Sequence, residues 1–362
     1  MYGDGLYKTK NAAVNADKLS SAQYTIQYNK EKVDAMKNTV VITGATSGIG
    51  YAVCETLLGA GYPVIGVGRS EANCGYAEKS LMERHPGAKL RFIVADLMQQ
   101  GQVLCAAREI ESALAGFGGG LHALINNAGC VRSRYMTTQE GYEQQFALNH
   151  LAGFLLTQEL LPIIKRDNAA VINTSSTSHK MMKMNWGDPM YQKRYRPLYA
   201  YKQSKLCNML FAHSLREMGI RACGVHPGLV KTDIGGKNTS GAVSFVWNLR
   251  KNRGISPEES AQIYLSLCED GFTGLYYGLG SGKPGVWEME SGKPKMWAKE
   301  LSYNKQVNHK NAKRLYDISL KLCGMQDLTE ISKGELYNER TDNRGKRWSR
   351  QGNGDGLRKA GI

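Results

Sequence analysis

Tyr201 and Lys205 stand four residues apart in the stretch AYKQSKLCNML, residues 200–210. On an α-helix this spacing sets a phenol and an ammonium on the same face. A phenol at its ordinary pKa of ~10 releases its proton too reluctantly to work in both directions near neutrality. A nearby cation favours the phenolate, and a shift of ~3 units corresponds to about 4 kcal/mol of differential interaction, attainable for a lysine in a partly desolvated cleft. Such a pair suits a reaction in which an oxygen gains or loses a proton while the carbon beside it is reduced or oxidised. Most phenol–lysine pairs at this spacing are simply solvated, so the elements around this one must decide its meaning.

The first of those elements is a glycine loop. TVVIT, residues 39–43, runs into TGATSGIG, Thr43 to Gly50, and then into the apolar GYAVCETLLGAG. A glycine cluster between a buried strand and a helix start lets backbone approach a pyrophosphate while helix N–H groups point at it. Gly44 permits the tight turn, Gly48 the close approach and Gly50 the packing of helix on strand. No Gly-Lys-Ser/Thr ending follows, which disfavours a nucleoside-triphosphate loop. At the end of the second strand, VIGVGRS puts Gly68 where an acid would meet a ribose hydroxyl, and Arg69 follows it. An arginine there suits a 2′-phosphate, which favours NADP over NAD.

Short β-branched runs alternate with helical patterns along the chain: TVVIT, PVIGV, LRFIVA, LHALIN, AVINTS, RACGVH and TGLYYG. This order predicts an α/β fold of Rossmann type, a doubly wound parallel sheet of about seven strands with helices on both faces. No internal repeat or composition shift divides it, so a single domain over 38–323 is expected.

TGATSGIG, ADL at 95–97, NNAG at 126–129, FALNHLAGFLLT at 146–157, NTSS at 173–176, YKQSK and HPGLVKTDI together resemble the short-chain dehydrogenase/reductase family. The glycine spacing differs from the Gly-x-x-Gly-x-x-Gly of its extended, epimerase-like branch. The resemblance implies reversible hydride transfer between a nicotinamide and a carbonyl or alcohol. It also implies a catalytic set of Asn149, Ser176, Tyr201 and Lys205, with Tyr201 as general acid and base. Ser175 is the rival for the serine, and the alignment of NTSS places the role on Ser176. Asn149 would hold a water behind Lys205.

For the cofactor, the resemblance implies a phosphate loop of Gly44, Thr46, Ser47, Gly48, Ile49 and Gly50. Arg69 lies beside it, and Asp96 and Leu97 meet the adenine. Asn126, Ala128 and Gly129 line the cleft, Tyr201 and Lys205 reach its ribose, and Pro227, Gly228 and Thr232 hold the carboxamide. His150, His179 and Cys130 are read as packed rather than catalytic side chains, and nothing has metal-ligand spacing.

The 25 positions from Ser176 to Tyr201 and the NHLAGFLLT block resemble retinol-dehydrogenase-like and WW-domain-oxidoreductase-like members. The AYKQSKLCNML helix resembles that of light-dependent protochlorophyllide reductases, which is the second reading. A third, of another class, is an NADP-binding sensor or scaffold without turnover. Met181, Met182, Met184, Met190 and Trp186, with GAVSFVWNLR at 241–250, suggest an apolar lid over a lipophilic substrate.

The bulk properties bound the rest. A formal charge of +15 suits nucleic acid, anionic lipid or an anionic cofactor alike, and does not choose among them. Part of it lies in a tail, 324–362, with almost no aliphatic residues, and residues 1–37 are likewise polar; both read as flexible ends. The first residues carry no apolar block of a secretory signal, and no run approaches the ~18 apolar residues of a membrane span. A cytoplasmic protein is expected, with an organelle as the alternative. Peripheral membrane contact and a homo-oligomer are left open, and no specific nucleic-acid partner is expected. The eight cysteines form no CxxC pair and read as free, mostly buried thiols of a reducing compartment.

Overall fold

The computed structural model describes residues 37–231, 254–279 and 298–325, and the backbone of two short strands at 288–290 and 293–295. The expected flexible ends, apart from Lys37, Gly324 and Met325, lie outside the described residues, as do Thr232 and GAVSFVWNLR.

Seven parallel strands form the sheet: β1 (Thr39–Thr43), β2 (Val64–Gly68), β3 (Leu90–Val94), β4 (Leu121–Asn126), β5 (Ala170–Thr174), β6 (Ala222–His226) and β7 (Tyr276–Leu279). Each coincides with one of the β-branched runs read from the sequence. A separate two-stranded ribbon pairs β8 (Glu288–Glu290) with β9 (Lys293–Lys295). The spatial order of the parallel strands is 3-2-1-4-5-6-7, and a further strand, β10 (Ala298–Glu300), closes the β7 edge antiparallel. That strand escaped the sequence reading: AKE is three residues long and carries no apolar alternation.

β1 is buried along its whole length, and its side chains divide between two cores. On the other face from α1 (Gly48–Gly59) and α2 (Glu71–Arg84), Val41 enters one apolar cluster. That cluster takes in α3 (Gln100–Phe117), α5 (Ala152–Glu159), α6 (Leu161–Arg166), α7 (Pro197–Glu217) and α9 (His309–Leu322). Val40 and Ile42 enter the other cluster, with α1, α2 and α8 (Pro257–Glu269). Two-residue alternation with both faces covered is why these strands read as continuous apolar runs.

The strand order reverses between β1 and β4, and the crevice outside their carboxyl ends is where an open α/β sheet takes its ligand. Before α5, Gln144–Phe146 forms a short α4, and Ala147–Leu151 makes a turn of π-helix. After β5, residues Thr177–Met181 form a 3₁₀ turn that leads toward α7.

Candidate active site

A cleft of about 530 Å³ opens at the β1/β4 reversal. Its floor is the loop from β1 to α1. Gly44 has φ +70°, a left-handed conformation that favours glycine. A Cβ on Gly50 would fall 2.1 Å from the Gly44 carbonyl oxygen and 2.7 Å from Asn127 Nδ2, so only glycine fits. Ser47 caps α1 without a side-chain hydrogen bond, and no acid occupies the first turn. The leading N–H groups of α1 are therefore left for a ligand, as an anion site requires.

Gly44, Thr46, Ser47, Gly48, Ile49, Gly50, Arg69, Asp96, Leu97, Ala128 and Gly129 all line this cleft, whereas Asn149, Ser176, Tyr201 and Lys205 stand outside its lining. Asn126 does not line it either. Its side chain turns away and donates to Asn173 Oδ1 (2.9 Å) and Thr157 Oγ1 (3.0 Å), bracing β4 against β5 and α5. Asn127 takes the place at the cleft wall. Its Nδ2 donates to the Thr43 carbonyl and its backbone N–H to Thr43 Oγ1, both at 3.0 Å. In a doublet of identical residues the two-residue strand period sends one side chain inward and the next to the rim, a parity that the motif alone does not reveal.

The catalytic candidates sit on elements stitched together by hydrogen bonds. Lys205 is buried in α7, 3% exposed, and donates from Nζ to the Thr174 carbonyl at 2.9 Å. Asn208, one residue short of a turn further on, donates to the same carbonyl at 2.9 Å. Ser175 Oγ donates to the Lys205 carbonyl at 2.8 Å. The rival serine is thus buried and committed to joining β5 to α7. Ser176 is half-buried and opens the 3₁₀ turn, where its Oγ accepts only a long 3.3 Å bond from the Ser178 N–H.

The half-buried Tyr201 lies one turn before Lys205, whose Nζ is 5.8 Å from the centre of its ring. Burial pulls the Lys205 pKa down to about 8. The lysine therefore remains mostly charged at neutrality and becomes titratable just above it.

Asn149 lies in the π turn, and its side chain is saturated in a way the sequence did not show. Oδ1 accepts from the Cys130 N–H at 2.7 Å, while Nδ2 donates to the Cys130 carbonyl at 3.0 Å and to Ser204 Oγ at 2.9 Å. Ser204 Oγ in turn donates to the Tyr201 carbonyl at 2.8 Å. Both amide donors are spent on the protein, so the side chain positions the cleft wall and the Tyr201 turn rather than donating to the water expected of it. A Cβ on Gly129 would lie 3.1 Å from Asn149 Oδ1 and 3.6 Å from Lys205 Nζ, which puts these two groups directly behind the cleft wall.

A sequence model of the short chain dehydrogenase family matches residues 38–242, more than half of the chain. The chain belongs to the short-chain dehydrogenase/reductase family. Among curated relatives, retinol dehydrogenase 12 of Mus musculus is 32% identical over 296 residues, covering 79% of this chain and 86% of that protein. Polyprenol dehydrogenase of Homo sapiens is 31% identical over 205 residues, 54% of this chain and 61% of that one. Retinol dehydrogenases recur among these relatives, so the chain is an oxidoreductase of the retinol dehydrogenase-like branch.

Solved structures share its fold. The alcohol dehydrogenase of the archaeon Thermococcus sibiricus, complexed with 5-hydroxy-NADP, has a TM-score of 0.53 at 19% identity, covering 67% of this chain and 95% of that one. The L-sorbose reductase of Gluconobacter frateurii, complexed with NADPH and L-sorbose, has 0.52 at 23%, covering 69% and 97%.

Other side chains of this short-chain dehydrogenase part from the expectations. Pro227 and Gly228 follow β6 but do not line the cleft; Lys231 and Pro257 do. Ser70, Asn73, Cys130, Arg132 and Leu148 line it without having been singled out as binding residues. Burial pushes the Cys130 thiol up to about 12, so it is a protonated packing group rather than a nucleophile. His179, within the 3₁₀ turn, is buried and holds the Ser176 carbonyl at 2.5 Å through Nδ1. His150 faces Ser319 Oγ at 2.8 Å, and burial lowers its pKa to about 3. Both histidines are structural, as read.

The part of the expected lid before α7 is mostly packed inward. Met182 and Met184 are buried in the core, and Trp186 packs under the Arg314 guanidinium of α9, 4.6 Å from its ring centre. Only Met181 of that group is exposed, at 75%. All eight cysteines are free thiols, six of them buried.

Proposed function

We propose that this oxidoreductase uses NADP(H) to interconvert a carbonyl and an alcohol on a lipophilic substrate, with Tyr201 as general acid and base. The observation that carries the reading is Lys205, a buried ammonium held behind the cleft wall one helical turn from a half-buried phenol.

The cleft fits a dinucleotide. The left-handed turn at Gly44, against which Gly50 packs closely, and the uncapped start of α1 form a cradle for a pyrophosphate, and the exposed Arg69 at the end of β2 can take a 2′-phosphate. When bound, the cofactor supplies or receives the hydride. The rest belongs to the chain. Tyr201 hands its proton to the carbonyl oxygen as negative charge builds there, and retrieves it in the reverse direction. The Lys205 charge favours the phenolate that remains. Ser176, with its hydroxyl barely engaged, donates a hydrogen bond that fixes the substrate oxygen beside the phenol. Asn149 keeps the wall at Cys130 and the Tyr201 turn in register. The lipophilic substrate class follows the names of the relatives, retinol and polyprenol dehydrogenases, whose branch this chain shares.

The test is consumption of NADPH and NADH over a panel of retinal, steroid and aliphatic carbonyls, run in light and dark with protochlorophyllide included. NADPH-dependent reduction of an apolar aldehyde or ketone is expected, and light-dependent turnover of the pigment alone would replace this reading with the second one. NADPH binding without consumption over the whole panel would leave a sensor. Arg69→Asp should raise the KM for NADPH about tenfold while sparing NADH; an unchanged preference removes Arg69 from the cofactor site.

A further inference from the structure

Arg132 is 7% exposed, yet it lines the cleft. A guanidinium presents five N–H donors, and one this enclosed is best served by an anion or a full set of acceptors. Arg132 has neither. Nε donates to Gln144 Oε1 at 2.6 Å and Nη1 to the Val131 carbonyl at 3.4 Å, both neutral acceptors. Two of the five N–H donors are thereby used, and three are left without a partner among the described residues.

The two carboxylates nearest in sequence are committed elsewhere: Glu140 Oε1 accepts from the Gln100 N–H at 2.7 Å. Glu143 Oε2 accepts from the Phe146 N–H and Oε1 from the Tyr195 hydroxyl, both at 2.8 Å, and burial raises its pKa toward the neutral form. No described acid forms an ion pair with Arg132.

The cleft-wall loop carries Arg132 away from the phosphate cradle. Ala128 adjoins the Gly44 turn, Gly129 adjoins Lys205 Nζ, and Cys130 is gripped by Asn149. Following the loop away from the phosphate cradle therefore leads to Arg132, three residues and at most ~10 Å of chain beyond Gly129. Leu148, which precedes Asn149, lines the cleft as well.

We propose that Arg132 receives an oxoanion carried by the substrate, a carboxylate or a phosphate remote from the reacting carbon. The inference rests on the oxidoreductase reading above and narrows its substrate to an amphipathic one, with an apolar body and an anionic end. The planar fork of donors matches either oxoanion in a bidentate pair.

Calorimetric titration of the full-length protein with octanoate, octyl phosphate and octanol, with and without saturating NADPH, tests this apart from turnover. At least one anion should bind ten times more tightly than octanol, and the tighter of the two identifies the group. Arg132→Met should reduce that advantage to within twofold while leaving the affinities for octanol and NADPH unchanged. Should that variant fail to fold, Arg132→Lys is read instead: a lysine cannot fork, so the advantage should fall at least threefold. Equal binding of anions and alcohol by the unaltered protein overturns the proposal. So does an anion preference that survives Arg132→Met, or a tenfold loss of NADPH affinity in that variant, which would assign the guanidinium to the cofactor. A protein that binds the anions as predicted but consumes no NADPH would fail the redox reading while sustaining this one.

Discussion

The two sides of the cleft are built on opposite terms. The wall from Gly44 to Gly50 is shaped by what is missing: a Cβ at Gly50, a cap at Ser47, an acid in the first turn of α1. The wall around Lys205 is shaped by what is present, a mesh in which Thr174, Ser175, Ser204, Asn149 and Cys130 leave few polar atoms idle. Open amides can be filled by an arriving anion, whereas a saturated mesh fixes groups that must not move during a proton transfer. Binding and chemistry are thus separated by how completely each side satisfies itself.

The largest effect should come from the reacting group. Tyr201→Phe removes one hydroxyl and should lower kcat at least a hundredfold with NADPH affinity retained; activity above a tenth of the parent would remove Tyr201 from its role. The neighbouring serines divide along the same line. Ser176→Ala should lower kcat/KM by about a hundredfold and leave the melting temperature alone. Ser175→Ala should cost about 1–2 kcal/mol of stability and change kcat little. Reversed outcomes would exchange the two assignments.

On the open side, Gly50→Ala forces a methyl against the Gly44 carbonyl. NADPH affinity should fall about tenfold, and the melting temperature should drop by several degrees. Normal cofactor binding there would mean that the loop relaxes without cost.

The smallest effect concerns protons. The native Lys205 pKa of about 8 lies below the 10.5 of a free lysine. Between those values the unfolded chain binds more protons than the native one, so this group makes cofactor-free stability rise with pH across the window. Activity should move the other way, as the cation that favours phenolate is lost above pH 8. Lys205→Met should flatten the stability slope. It should not lower the melting temperature at neutral pH, because Asn208 still serves the Thr174 carbonyl. A large loss of stability would show the lysine to be a structural brace.

How much was legible follows from which interactions are local. The glycine loop, the seven parallel strands and the Tyr201–Lys205 pair depend on spacing within one or two elements, and the chain displays them directly. The LCNML residues that resembled a pigment reductase also follow local rules. Leu206, Cys207, Met209 and Leu210 are wholly buried and Asn208 ties down β5, so they report packing rather than substrate. The exchange of Asn126 for Asn127, the saturation of Asn149 and the idle donors of Arg132 depend on partners far along the chain. No pattern at one position displays them.

The last helix carries a consequence for anyone who would shorten this chain. Leu322, at the end of α9, receives hydrogen bonds from Gln100 Nε2 and the Tyr142 hydroxyl. Ser319 meets His150, the residue after Asn149, and Tyr316 donates to Gln158. A shortened chain, trimmed to the recognisable motifs, would keep every catalytic residue and lose this buttress. Its asparagine would then ride on a helix with one flank stripped, an enzyme complete by inventory and loose at its hinge.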